Sequence, residues 1–322
     1  GWLDRPLSVA GRVVIRQGDR LVSRLVNIDR DLLVIPGVAI HMDRSVNKGA
    51  ELNPAVDLLP LLGCGKEPGT FRKLIAEAAG VREEHLLSTE LFLYPRTKAV
   101  QTGLNGEFIV SPRLDDLQCV FGCLEGFLAA KPGGSLPVLA VFNNEEVGSN
   151  TRQGADSTFL TDVLERIAHG CGLDSEGWKA AVANSFMVSA DNAHAIHPAH
   201  PEYADKGEFP VLGGGIVIKY NANQRYTTDA VSGAVFQAIC QEAGVPVQRY
   251  SNRADLPGGS TLGNISNSKV SLNTVDIGLP QLAMHSSYET AGAKDMEYMV
   301  KAFEEFYKSS ISVSEDGSFE IQ

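Results

Sequence analysis

The spacing of apolar and polar residues changes near Phe108. Residues 10–108 contain short apolar runs separated by turn-forming residues, a pattern typical of strands. The runs at 13–15 and 21–26 flank Gln17-Gly18-Asp19 and predict a β-hairpin. A further apolar run at 32–40 is broken by Pro36-Gly37, and the spacing over 71–79 predicts one helix. This part of the chain is therefore predicted to be a β-rich domain.

Strands and helices are predicted to alternate after Phe108. The predicted strands cover 108–110, 138–142, 186–189, 213–220, 270–275 and 282–284. The predicted helices occupy the segment ending at Ala130 and residues 157–168, 176–183, 227–243 and 294–308. This alternation predicts a layered α/β domain.

The composition of the chain indicates its size class and argues against some kinds of partner. The 322 residues, 43% of them hydrophobic, are enough for about two domains with ample cores. A net charge of −11 argues against nucleic acid or an anionic membrane as partner. Five scattered cysteines, the lack of any apolar run of transmembrane length and the absence of a signal peptide predict a cytoplasmic protein. The chain starts at Gly1 within ordered-looking sequence, so we expect that upstream residues are missing.

Two adjacent glutamates follow the predicted strand at 138–142. Asn143 and Asn144 end the apolar run, Glu145 and Glu146 come next, and the chain then turns at Gly148. Adjacent carboxylates repel each other unless a cation lies beside them, and a divalent metal with one glutamate as ligand and the other as base meets that need. The plainer interpretation is a solvated acidic loop.

Residues of metal-ligand type follow four of the predicted strands: Asp115 and Asp116, Glu145 and Glu146, Asp191, and His285. Carboxylates and imidazole hold Zn²⁺, Mn²⁺ or Co²⁺, and a shared carboxylate suits a paired-metal centre. Singly, Asp115 or Asp116 could be a helix N-cap and Asp191 part of a turn. Their concurrence at four strand ends favours a metal site.

Six sequence blocks resemble those of the aspartyl aminopeptidase family of zinc metallopeptidases: WLDRPLSVAGRV, SPRLDDL, FNNEEVGS, SADNAHAIHP, IKYNANQRYTT and QLAMHSSYE. The resemblance implies a three-layer α/β/α zinc-peptidase-like catalytic domain with an inserted β-rich dimerisation domain. Residues 1–9 would then end the first part of the catalytic domain, 10–108 would form the dimerisation domain, and 109–322 the catalytic domain. It also implies removal of acidic (Asp/Glu) residues from peptide N-termini, two divalent metal ions (Zn, with Co or Mn as alternatives), and assembly into dimers and a dodecamer.

The resemblance also assigns roles to individual residues. Asp115 matches the carboxylate that bridges the metals, joined to Asp116 by a cis peptide bond. Glu145 matches the general base, while Glu146, Asp191 and His285 match metal ligands.

Lys219 matches a substrate-contacting lysine, and His41 a histidine that enters the active site of a neighbouring subunit. The family usually has asparagine where Asp116 stands. One further histidine ligand belongs to a block upstream of Trp2 that is absent here, so we expect a separate segment to supply it. The alternatives are a non-catalytic assembly subunit and a related metal-dependent deacylase.

Overall fold

The hairpin predicted at Gln17-Gly18-Asp19 is present in the computed structural model, which describes residues 1–65, 67–256, 258–314 and 316–322. Strand β1 (Leu7–Gln17) pairs antiparallel with β2 (Arg20–Asn27), and Gln17 lies opposite Arg20. Gly18 has a φ of +61°, which a tight two-residue turn requires. The other edge of β1 pairs antiparallel with β3 (Leu86–Pro95). Strand β3 was not predicted from the sequence.

The first compact unit, Gly1–Ala99, has its own apolar core. Alternate residues of β1, Val13 and Ile15 among them, are buried with Ile75 of helix α1 (Thr70–Ala78). The predicted helix at 71–79 is thereby confirmed. The broken apolar run at 32–40 forms only isolated bridges, Leu7 to Leu33 and Val34 to Leu61, because Pro36 cannot donate to a ladder.

The second unit, Val100–Gln322, mixes strands and helices. Its strands are β4 (Val100–Thr102), β5 (Phe108–Ser111), β6 (Phe186–Ala190), β7 (Ala193–His194), β8 (Ile216–Tyr220), β9 (Val247–Ser251), β10 (Asn273–Gly278), β11 (Pro280–Leu282), β12 (Glu289–Gly292), β13 (Ile311–Val313) and β14 (Phe319–Ile321). Its helices are α2 (Leu114–Ala129), α3 (Phe159–Gly170), α4 (Ser175–Ala183), α5 (Ala230–Glu242), α6 (Leu262–Asn267) and α7 (Ala293–Lys308). The predicted α/β class is confirmed.

Two open sheets organise this unit. One has the order β6-β10-β8-β9 and the other β4-β5-β12-β11-β7. Helices α2 and α7 pack closely because α2 carries glycine at the contact: a Cβ on Gly122 would lie 2.5 Å from Met299, and one on Gly126 would lie 2.5 Å from Phe303. Met299 and Phe303 are 0% and 2% exposed, which confirms α7 as an amphipathic helix with its apolar face inside.

The predicted strand at 138–142 is wrong. In the structure this segment forms no strand, and Val138 and Val141 remain 40% and 53% exposed. A strand needs a partner for its backbone, and both this segment and the edge strand β6 line one apolar cavity of about 510 Å³. Residues 138–142 thus line an apolar cavity as a buried strand would, but no strand among the described residues pairs with them.

The division between the units falls at Ala99 and Val100, nine residues before the predicted end of the β-rich domain at 108. Strand β4 lies beyond that division because it pairs with β5. At the other end, β1 runs without interruption through the predicted junction between residues 9 and 10. Among the helices that the structure describes, none combines the length and the apolar character that crossing a bilayer needs.

Candidate metal centre

Three side chains from separate parts of the second unit converge on one point. Asp115 lies at the start of α2, Glu146 in the short helical turn Glu145–Val147, and His285 in the turn between β11 and β12. His285 Nε2 is 3.1 Å from Asp115 Oδ2 and 3.1 Å from Glu146 Oε2. Ligands about 2.0–2.2 Å from a tetrahedral zinc lie about 3.3 Å apart, so His285 Nε2 has the spacing of a fellow ligand from each carboxylate. Ligand atoms of all three residues lie within 4.8 Å of one another.

A second group shares Asp115. Ligand atoms of Asp115, Asp116 and Asp191 lie within 4.8 Å of one another, and Asp191 directly follows β6. The shared position of Asp115 is what the bridging role requires. The predicted cis peptide bond between Asp115 and Asp116 is present. The described residues thus bring together four of the predicted ligand positions, at 115, 146, 191 and 285.

The start of α2 is shaped by a residue that the sequence reading missed. Asn192 is 4% exposed, and its Nδ2 donates to Leu114 O at 3.0 Å and to Asp115 Oδ1 at 3.2 Å. Its backbone N–H donates to Asp116 Oδ1 at 3.1 Å, and its Oδ1 accepts from Gln118 Nε2 at 2.6 Å. A buried asparagine with all its polar groups used fixes the backbone around it. The only sequence signal was its position beside Asp191.

The carboxylates of the centre raise one another's pKa. Burial and the charge of Asp191 raise the pKa of Asp116 well above its usual range, and burial also raises the pKa of Asp191. Partial burial and the neighbouring Asp115 raise the pKa of Glu146 to about 7. A divalent cation would relieve this repulsion, and the donor set of carboxylates with one imidazole is of the kind that zinc takes.

Glu145 lies next to Glu146 without belonging to either group of ligand atoms. Its side chain is half-buried, and burial, with the charges of Asp191 and Asp115, raises the pKa of its carboxyl group. A carboxylate with a raised pKa accepts a proton more readily near neutral pH. Its position beside the candidate ligands makes it available as a base.

Lys219 is a fully buried cation of the centre. The residue is 2% exposed, its Nζ donates to Asn192 O at 2.9 Å, and it lies 5.4 Å from the centre of the Tyr226 ring. Its charge lowers the pKa of Asp191 and of Asp116 against the larger effect of burial. Lys219 is therefore not a surface lysine, which was the plainer alternative from sequence.

His41 belongs to the first unit. The structure places it in an exposed turn and not on the apolar strand that the sequence suggested, because the run at 32–40 ends in turns. Ile40 and Met42, on either side, are 49% and 85% exposed. This histidine and its apolar neighbours are accessible in the single chain.

Comparisons with known proteins agree on one family. A family model described as "Aminopeptidase I zinc metalloprotease (M18)" matches residues 1–307. The chain is 47% identical over 312 residues to "Probable M18 family aminopeptidase 2" of Clostridium acetobutylicum, covering 95% of this chain and 72% of that protein.

Solved structures with similar chains were also found. The chain is similar to one in a cryo-EM structure of the Ape4 and Nbr1 complex, with a TM-score of 0.87, 35% identity, and coverage of 95% of this chain and 63% of that chain. It is also similar to the mApe1 dodecamer of S. cerevisiae, with a TM-score of 0.78, 27% identity, and coverage of 95% and 69%. This chain therefore spans about two thirds of the length of those chains.

Proposed function

We propose that this chain, which belongs to the M18 family of zinc metalloproteases, acts as a metal-dependent aminopeptidase. Members of that family are hydrolases that cleave peptide bonds. The observation that carries the proposal is the convergence of Asp115, Glu146 and His285, with His285 Nε2 3.1 Å from each carboxylate. These three residues would hold one ion, and Asp115 with Asp191 would hold a second. Zinc is the expected metal, with Co²⁺ and Mn²⁺ as substitutes that accept the same donors.

Bound divalent ions would supply a water of lowered pKa and a charge that polarises the scissile carbonyl. Glu145 is the residue of this chain that moves protons. Its carboxylate would accept a proton from the attacking water and later donate it to the leaving amine. The raised pKa of Glu145 supports this role, because a base of very low pKa would hold the proton too weakly.

Peptides with acidic N-terminal residues are the proposed substrates. A side-chain carboxylate needs a cation where it binds, and Lys219 is a buried cation close to the candidate ligands. An ammonium group has three donors, and Asn192 O accepts one at 2.9 Å. Another would be directed to the substrate carboxylate.

Self-association into dimers and a dodecamer belongs to the same proposal. The exposed apolar residues around His41, Ile40 and Met42 among them, support burial against a partner chain. A two-fold contact places the same patch of each subunit on the other, so His41 would enter the partner's active site. Location in the cytoplasm is proposed because the five cysteines are free thiols, as a reducing compartment keeps them.

An additional strand is proposed to complete the sheet beside the metal centre. The cavity of about 510 Å³ is lined by the unpaired segment 138–142 and by the edge strand β6. These two lead directly to Glu145 and Asp191, so a strand filling the cavity would end between them. We propose that a segment outside residues 1–322 supplies this strand, together with the further histidine ligand that the family resemblance implies.

Activity on defined peptides tests the proposed function. The protein is dialysed against a chelator, assayed with Asp-Ala-Pro peptides carrying a free or an acetylated N-terminus, and assayed again after Zn²⁺ or Co²⁺ is restored. We expect release of free aspartate from the unblocked peptide, only with metal. Cleavage restricted to the acetylated peptide would indicate a deacylase, and metal binding without any hydrolysis would indicate an assembly subunit.

A further inference from the structure

Glu289 is a buried carboxylate that contacts the backbone of two candidate ligands. It is 2% exposed and is the first residue of β12. Its Oε2 accepts the backbone N–H of Asp115 at 3.0 Å, and its Oε1 accepts the backbone N–H of His285 at 2.8 Å. One side chain therefore joins two residues that are 170 positions apart in the chain and whose side chains meet at 3.1 Å.

The position of Glu289 in the sheet explains this reach. Glu289 pairs with Ser111 of β5, the strand that leads into Asp115, and follows His285 by four residues. The carboxylate of Glu289 therefore lies between two turns, one carrying Asp115 and the other carrying His285.

Neither Asp115 nor His285 has a regular backbone conformation, so the N–H groups of both lack the acceptors that a helix or a sheet would provide. Asp115 has φ and ψ of −84° and +115° inside the first turn of α2, so it is not helical there. His285 has a φ of +64°, which residues other than glycine adopt rarely. A partly buried N–H outside helix and sheet is stabilised by another acceptor, and Glu289 supplies one to each residue.

We propose that Glu289 is a positioning residue that sets the separation of Asp115 and His285 and thereby the affinity of the first metal site. This rests on the proposed function, since it presumes that Asp115, Glu146 and His285 bind an ion. Glu289 need not be a ligand itself, because both of its oxygens already accept hydrogen bonds. Its contribution is to hold two ligands at the spacing of a single ion before the ion arrives.

Replacing Glu289 by glutamine distinguishes a role in positioning the two candidate ligands from a role in filling buried space. Glu289→Gln keeps the size of the side chain but replaces one acceptor oxygen by an NH₂ donor, which then faces a backbone N–H donor. One of the two turns is expected to move away. Outer residues that orient metal ligands typically contribute about 10–100-fold to metal affinity, and we expect a loss of that order.

Asp295 provides a matched control. It is 0% exposed, and its two oxygens accept the backbone N–H groups of Gly213 and Gly215 at 2.7 and 2.9 Å. Asp295→Asn therefore makes the same chemical change in a buried carboxylate that holds two backbone groups. Gly213 and Gly215 are not candidate ligands, so any loss of metal affinity in this variant would reflect general destabilisation.

The test measures metal binding directly. Wild-type protein, Glu289→Gln, Glu289→Asp and Asp295→Asn are freed of metal, their thermal unfolding is recorded, and each is titrated with Co²⁺ while its visible absorption is followed. We expect Glu289→Gln to bind Co²⁺ about 10–100-fold more weakly with an altered absorption band. Glu289→Asp should be intermediate, and Asp295→Asn should keep the wild-type affinity and band despite a lower unfolding temperature.

Two results would overturn the inference. One is wild-type Co²⁺ affinity in Glu289→Gln, and the other is an equal loss in Asp295→Asn. If Glu289→Gln does not fold, Glu289→Asp decides: wild-type affinity in that variant contradicts positioning, because the shorter side chain cannot reach both N–H groups. Failure of the wild-type protein to bind Co²⁺ at all would instead contradict the proposed function.

Discussion

Lys219 Nζ donates to the backbone oxygen of Asn192 at 2.9 Å, and this buried contact holds the ammonium group beside the segment that carries Asp191. The side chain of Asn192 in turn holds Asp115, while Asp191 is its neighbour in the chain. A buried ammonium group next to several carboxylates offsets part of their repulsion. The remaining negative charge is what the proposed metal ions would neutralise.

Replacing Glu145 by glutamine is expected to abolish catalysis without loss of metal. The amide keeps the shape of the side chain but cannot accept the proton, and general-base catalysis contributes about 10²–10⁴-fold. Turnover of an Asp-peptide and metal content by mass spectrometry are measured on the same sample. Near-normal turnover with full metal would remove Glu145 from this role.

Replacing Lys219 by methionine is expected to reduce the preference for acidic peptides. The change removes the charge but keeps most of the buried volume. A hydrogen bond to a charged group contributes about 1.5–3 kcal/mol, so kcat/KM for an Asp-peptide should fall about 10–100-fold more than for the matching Ala-peptide. Lys179, which is exposed and pairs with Glu176 at 2.7 Å, gives the control substitution Lys179→Met. Equal losses on both peptides would exclude Lys219 from specificity.

Mixed oligomers test whether His41 acts in a partner's active site. His41→Ala and Glu145→Gln subunits are each expected to be nearly inactive, since each lacks one group of the reaction. When the two are unfolded and refolded together, some sites should combine an intact Glu145 with a His41 from the other subunit, and activity should return in part. Verified mixed oligomers that stay inactive would show that His41 is not shared.

Acidification is expected to stabilise the metal-free protein through Glu146. Its pKa is raised from 4.5 to about 7 on folding, so its contribution to stability is complete below the unfolded value and is lost as pH rises through the folded value. Between pH 8 and pH 5 the unfolding temperature of metal-free wild-type protein should therefore gain an increment that Glu146→Gln lacks. Bound zinc should reverse the trend, because it requires the deprotonated carboxylate. Identical pH profiles of the two metal-free proteins would contradict the shifted pKa.

Elements of the fold that depend on neighbouring residues alone could be predicted from the sequence. The turn at Gln17-Gly18-Asp19 and the amphipathic helix α7 follow from turn chemistry and helical spacing, and both were confirmed. The run at 138–142 has the composition of a buried strand but forms none among the described residues, because pairing depends on a neighbour that composition does not reveal. The compact units divide after Ala99, before the predicted end of the β-rich domain at 108, because β4 pairs forward with β5.

Some residues of the candidate site could likewise be predicted from the sequence, and others could not. Asp115, Glu146, Asp191 and His285 could be proposed as ligands because carboxylates and imidazole after predicted strands are recognisable types, although the strand predicted before Glu146 does not form. Glu289 contacts the backbone of Asp115 and His285, and this could not be predicted, because a single glutamate in a sequence carries no sign that its oxygens will meet two distant N–H groups. The pairing of β12 with β5 brings Glu289 to the turn that carries Asp115.

Asp115, Glu146 and His285 are proposed to hold one catalytic metal ion together. Anomalous scattering from crystals of the zinc-loaded protein, recorded on both sides of the zinc absorption edge, locates that ion without reference to any assumed mechanism. We expect a peak about 2.0–2.2 Å from Asp115 Oδ2, Glu146 Oε2 and His285 Nε2. A protein that hydrolyses Asp-peptides while its zinc peak lies away from these three atoms would contradict the account.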